Sequence, residues 1–456
     1  MDSYAPNLEK NGFAAPTLQP DRIHIIDAMR GFALCGILIM NIPYFALPFQ
    51  QGYDPRIFGE LGQRANHFWW AFVNYFLEGS MRGLFSLLFG AGALLLLGRL
   101  QKKNTGLLPA DIYFRRLLWL LLFGFINGFL LNWPGDILYH YAIVGMFIFA
   151  FRSASPKLLT ILVALFVGIT MLFSFLQKRD LYEMRSKGIE ALKLKKQGST
   201  LTEEQEAAIG AWEGFNKKRD TTLNRKAAEK MIKEISEGSY AKVFGEMSRW
   251  TVKLESIKFY GPFFFDIIIF FLLGMLLLKT GIISGEKPLA FYGFMAIAGY
   301  LLGFGEGYLH YNLVLKSNFD PFIYYRMMPI PADLYQIHRI CTTLGHLGLL
   351  MALHKSGFFN WLLRPLACMG QMAFTNYLSQ SIICGLLFYG YGFGFFGKYE
   401  RFEIYYFWAA IIAFQMVFSV LWLKYFRFGP FEWAWRSLTY LQWQPLRKGL
   451  AEVGMP

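Results

Sequence analysis

The chain has 456 residues, 55% of them hydrophobic and 18% aromatic, with a net charge of +14 and a mean hydropathy of +0.33. With repeated apolar runs near twenty residues, this composition places it among all-α polytopic membrane proteins and away from soluble enzymes. The positive charge reads as Lys and Arg gathered in cytoplasmic loops, so no nucleic-acid partner is expected.

In chain order, residues 1–24 read as a cytoplasmic tail without a cleavable signal. Ten spans are then expected near 25–47, 80–98, 112–131, 135–151, 157–176, 259–279, 288–310, 333–354, 366–389 and 404–425. The organisation is five spans (25–176), a charged insertion (177–257), five more spans (258–425) and an interfacial tail (426–456). Basic residues of four connections fall on one side of this arrangement: Arg99 with Arg115 and Arg116, Arg152 with Lys157, Lys279 with Lys287, and Lys355 with Arg364. The tail residues Lys424, Arg427, Arg436 and Arg447 join them, which puts both termini in the cytoplasm. The insertion carries 17 basic and 13 acidic residues. Thr202-Glu-Glu-Gln205 is a capping box, and 203–237 reads as one solvated helix outside the cytoplasm. It is either a cap over the bundle or a lineage-specific addition. Together with the glycine-rich spans, it admits a homodimer.

Polar groups inside spans each need a reason, because a charge at the bilayer centre costs roughly 2.5–3.5 kcal/mol on insertion scales. Asp27 and Arg30 share one helical face, either as an anchoring pair or with Arg30 holding an anionic ligand. Asn41 lies on the same face about 16 Å deeper. His67, Trp70, Asn74, Glu78, Arg82 and Ser86 form a stripe in which Glu78 and Arg82 suit an i,i+4 pair. His67 is either structural or a general base. Asp136 to His140 spans one helical turn, so Asp136 either orients the imidazole or caps the helix. Asn376 and Gln380 share a face within Thr375-Asn-Tyr-Leu-Ser-Gln-Ser381 and must look into a bundle interior or a wet cavity. The segment from Gly429 to Tyr440 reads as an interfacial helix in which Glu432 and Arg436 can pair. The four cysteines lie in apolar runs with no metal-ligand spacing, and no P-loop or dinucleotide fingerprint is present.

Several of these motifs resemble the YeiB family of bacterial inner-membrane proteins: Arg22-Ile-His-Ile-Ile-Asp-Ala-Met-Arg-Gly through Asn41, Leu84-Phe-Ser-Leu-Leu-Phe-Gly-Ala-Gly92, Gly135-Asp-Ile-Leu138, Thr375 to Ser381, and Phe428 to Tyr440. The resemblance covers most of the chain outside the insertion and the extreme N-terminus. That family in turn resembles the transmembrane acyltransferases, which implies a ten-span enzyme of the inner membrane moving an acyl group from cytoplasmic acyl-CoA to a hydroxyl or amine acceptor. Arg30 matches their basic first-span residue, while Asn41 stands where one relative class has a catalytic histidine. Asparagine cannot take that proton at neutral pH. His67-Phe-Trp-Trp70 matches a His-x-x-Trp motif of the heparan-glucosaminide acetyltransferases.

The resulting expectation assigns His67 as the base that deprotonates the acceptor and Asn41 as the group that orients the thioester carbonyl or a water. Arg30, with Arg115 or Arg116, holds the CoA phosphates, and Asn376 and Gln380 line the tunnel or acceptor pocket. Asp27, Glu78, Arg82, Asp136, His140, Glu432 and Arg436 support the site. No tightly bound cofactor or metal is expected; the partners are the bilayer, acyl-CoA and a small acceptor. A permease for a small polar solute and a non-catalytic scaffold are the alternatives.

Overall fold

The computed structural model describes residues 24–103, 105–329 and 333–449, so the expected tail lies, except for His24, outside the described residues. Among the described residues there is no β-strand; an isolated bridge pairs Phe426 with Arg447. The principal helices are α1 (His24–Ala46), α2 (Arg64–Phe72), α3 (Ser80–Lys103), α4 (Leu108–Phe125), α5 (Leu138–Ile148), α6 (Pro156–Lys196), α7 (Glu203–Arg219), α8 (Thr221–Ser236), α9 (Tyr240–Lys253), α10 (Phe264–Lys279), α11 (Leu289–Lys316), α12 (Tyr335–Ser356), α13 (Asn360–Gln371), α14 (Ala373–Phe388), α15 (Arg401–Tyr425) and α16 (Pro430–Tyr440).

Each of the ten expected spans coincides with a helix. Seven helical segments among the described residues are long and apolar enough to cross a membrane, and two shorter apolar ones, Leu138–Phe151 and Ala373–Phe388, complete nine. The tenth, α12, is more polar because it is buried: Gln336, His338, Arg339, Thr342, Thr343 and His346 all face the interior. Helix α11 covers its outer side. Gly299, Gly303 and Gly307 meet α12, while Phe294, Ile297 and Leu301 on the opposite face are 71, 71 and 73% exposed, as a lipid-facing surface requires. At the centre, α10 packs against α3 and buries Ile267 to Leu273 without a break.

The insertion is helical, with one difference from expectation. The Thr202–Gln205 capping box forms, but the helix stops at Arg219 and restarts, because the Asp220 side chain accepts the Thr222 and Leu223 amides and caps α8. The insertion then covers the end of the bundle opposite the basic loops. Gly390 N–H donates to Ile235 O (2.8 Å), Tyr240 Oη to Leu130 O (2.8 Å) and Thr251 Oγ1 to Gly128 O (3.0 Å).

Candidate functional site

Among the described residues, one cavity enters the bundle from each end. The basic-side cavity holds about 260 Å³ and is walled by Arg30, Arg99, Arg116 and Arg436. Arg30 Nη1 pairs with Asp27 Oδ1 at 2.9 Å, so the expected first-span pair forms and still faces the cavity. The Arg116 guanidinium stacks on Trp435 (3.8 Å to the ring centre), and Trp435 Nε1 donates to Arg116 O, fixing α16 to α4. Arg115 turns away from the cavity to Asp111 and Thr439 O. The expected Glu432–Arg436 pair does not form. Glu432 instead accepts the amides of Phe374 (2.6 Å) and Thr375 (2.9 Å) and the Thr375 hydroxyl, capping the start of α14 from another helix. Four guanidinium groups thus line one cavity with two carboxylates, of which Asp27 pairs with Arg30 and Glu432 is taken up by the start of α14, and planar guanidinium groups gathered in this way suit an anionic ligand.

The cap-side cavity is larger, about 890 Å³, and is lined by Asn41, Glu78, Arg82, Asp136, His140 and Asp266 together with aromatic side chains. Its shape depends on a break before α3. Glu78 is extended (ψ 132°) and Gly79 has φ +73°, where a Cβ would also fall 2.1 Å from Arg339 Nε. That break undoes the expected Glu78–Arg82 pair, since i,i+4 spacing brings side chains together only along a continuous helix. Glu78 accepts from Tyr335 Oη (2.7 Å), whereas Arg82 pairs with Asp266 Oδ2 (3.2 Å). Asp266 also binds Arg339 and accepts from Gln336 Nε2 (3.0 Å), making a buried Arg–Asp–Arg cluster. Sequence reasoning passed over Asp266, although it is the lone charged residue between Lys258 and Lys279 and so carried a visible signal.

Asp136 resolves the alternatives left open for it. Its Oδ2 accepts the Tyr139 amide (2.9 Å), so the carboxylate caps α5, and its Oδ1 accepts from Asn127 Nδ2 (2.7 Å) and Tyr377 Oη (3.3 Å). The backbone carbonyl of Asp136, not its carboxylate, takes His140 Nδ1 at 2.8 Å. Two π-helical segments, Val73–Leu77 and Leu254–Phe263, border this cavity, and a third, Ile126–Leu130, carries the Asn127 that bonds Asp136. Such insertions are frequent at functional sites.

The other expected site residues lie elsewhere. His67 faces Tyr311 (Nε2 to Oη 3.0 Å) and lines neither cavity. Asn376 and Gln380 also line neither. Asn376 Nδ2 donates to Met369 O and Ser419 Oγ (both 3.0 Å), and Gln380 Nε2 donates to Gln415 Oε1 (3.1 Å), so they join α14 to α13 and α15.

One acid outside the apolar spans gives a pH signature. Burial, then the nearby charge of Asp136, pushes Glu255 up to about 8. Between roughly pH 4 and 8 it holds more protons folded than unfolded, so its contribution is fully present at the acid end and is lost as pH rises through 8. The melting temperature in detergent should therefore fall across this range, and Glu255→Gln should flatten the decline.

Residues 277–442 match the family described as "Protein of unknown function (DUF418)". The chain is 32% identical to "Uncharacterized protein YxaH" of Bacillus subtilis over 95% of its own length and 98% of that protein's. It is 28% identical to "Uncharacterized protein YeiB" of Escherichia coli over 91% and 95%, and 27% identical to "Uncharacterized 39.9 kDa protein in amylase 3'region" of Bacillus acidopullulyticus over 93% and 96%. No solved structure is significantly similar. The end-to-end match to YxaH and the two further full-length likenesses have one consequence: the chain belongs to the YxaH and YeiB family of membrane proteins.

Proposed function

We propose that the protein is an acyltransferase of the bacterial inner membrane, taking an acyl group from a cytoplasmic acyl-CoA and passing it to a hydroxyl or amine on the far side. The observation that carries this reading is the thin wall between the two cavities. Tyr377 lines the basic-side cavity, and its hydroxyl bonds Asp136, which lines the other (3.3 Å). Beside it, Tyr141 Oη and Ser86 Oγ lie 2.6 Å apart. A thioester arm entering past the arginines needs to displace little more than these side chains to present its carbonyl to the far cavity. The positive-inside rule puts the arginine end in the cytoplasm, where acyl-CoA is available.

Arg30 and Arg116 hold the donor's phosphates, and Asn41 faces the acceptor cavity as a hydrogen-bonding group. His67, set against Tyr311, has no direct path to either cavity in this arrangement.

The test is thiol release from a panel of acyl-CoAs by purified protein, with donor binding measured alongside. Arg30→Ala and Arg116→Ala should each weaken acyl-CoA binding by roughly 10- to 100-fold, the equivalent of one or two charge-assisted hydrogen bonds. Tight binding without arginine dependence would count against the donor site. The same two cavities, closed at one wall, also describe a permease for a small polar solute; uptake into proteoliposomes without thiol release would favour it.

A further inference from the structure

We propose that Nε2 of His140 is the atom that takes the proton from the acyl acceptor; this assignment rests on the acyl-transfer reading. Of the seven histidines in the chain, His140 is the one that lines either cavity. The residue is 3% exposed and its ring is held between Phe259 and Phe263, with centroid distances of 4.5 and 5.1 Å. The Asp136 carbonyl can only accept, so Nδ1 carries the hydrogen and Nε2 presents its lone pair. Nε2 is buried and has no hydrogen-bond partner among the described residues; the Leu254 carbonyl faces the ring but does not meet hydrogen-bond geometry. A buried acceptor left open in this way calls for a donor, and an acceptor's O–H or N–H supplies one.

The other buried histidines are engaged. His346 contacts Ser80 Oγ (3.2 Å) and Tyr300 Oη (2.9 Å), and His338 contacts Gly303 O (2.7 Å) and Glu306 (3.3 Å). Neither lines a cavity.

In the reaction, the acceptor's proton passes to Nε2 as its oxygen or nitrogen bonds to the thioester carbonyl carbon. The carbon–sulfur bond then breaks, and the thiolate leaves, taking up the proton from the imidazolium to become the free thiol. Neutral His140 is regenerated, and no oxidant or reductant is needed.

The test uses the full chain in detergent with acetyl-CoA and glycerol as a small hydroxyl acceptor. In His140→Asn the amide can keep the hydrogen bond to Asp136 O while Nε2 is removed. Thiol release should fall by about 100- to 10,000-fold, with acetyl-CoA binding within about twofold of wild type and part of the rate restored by added imidazole. An active wild type whose His140→Asn variant is equally active overturns the assignment and leaves the acyl-transfer reading in place. A wild type that binds acetyl-CoA and releases no thiol with any acceptor overturns both.

Discussion

Replacing Asp266 with Ala should destabilise the protein by about 3–5 kcal/mol, the usual cost of stripping one partner from a buried ion cluster. Arg339 is 1% exposed, so its guanidinium cannot turn to water when the carboxylate is removed, whereas Arg82, which packs over Phe263, keeps its place on the cavity wall. Arg339 also donates to Gly79 O (3.1 Å), at the break that shapes the cap-side cavity, so the loss should open that turn. Asp266→Asn keeps the shape and an acceptor oxygen while removing the charge, and should fall between Ala and wild type. Melting in detergent, read beside gel filtration, checks the order; an Ala variant that melts with the wild type would show the arginines to be compensated by other groups.

Gly370→Val should be nearly as damaging, at about 3 kcal/mol, the upper end for overpacking against groups that cannot give. A Cβ at Gly370 would sit 1.8 Å from Asp27 O, and one at Gly31 2.0 Å from Leu366 O, so α1 and α13 touch backbone to backbone. Pushing α1 away also moves Arg30, which rides one turn from the contact. The variant should therefore lose acyl-CoA binding as well as thermal stability, whereas a lipid-facing change such as Phe294→Ala should lose neither. Retained binding in a folded Gly370→Val protein would separate the arginine cavity from this crossing.

The helices were legible because membrane burial imposes long apolar runs, and all ten expected segments are helical. Pairings within one helix were legible only where the helix is continuous. Asp27–Arg30 forms; Glu78–Arg82 fails at an extended residue and a positive-φ glycine. Contacts between helices were not legible. Asp266 finds Arg82 and Arg339 from positions far away in the chain, and Glu432 caps a helix 57 residues upstream at Thr375. The cluster at Asn376 and Gln380 shows the same limit. Its burial was predictable from the cost of polar groups in lipid, but burial is satisfied equally well by a neighbouring helix as by a cavity wall. The two cavities emerge only once α1, α3, α4 and α5 are assembled.

Helix α6 runs for 41 residues without interruption, about 60 Å at 1.5 Å per residue, twice the roughly 30 Å hydrocarbon core. Its outer half is therefore a rigid spoke fixing both the height and the rotational phase of the cap relative to the membrane. Because each residue advances a helix by about 100°, the number of residues between the bilayer surface and Lys196 sets which face of α7 meets the bundle. Point substitutions along this stretch leave that phase unchanged. A one-residue deletion would turn the insertion through more than a quarter circle and dislodge its contacts together, so the chain can vary freely here in sequence but not in length.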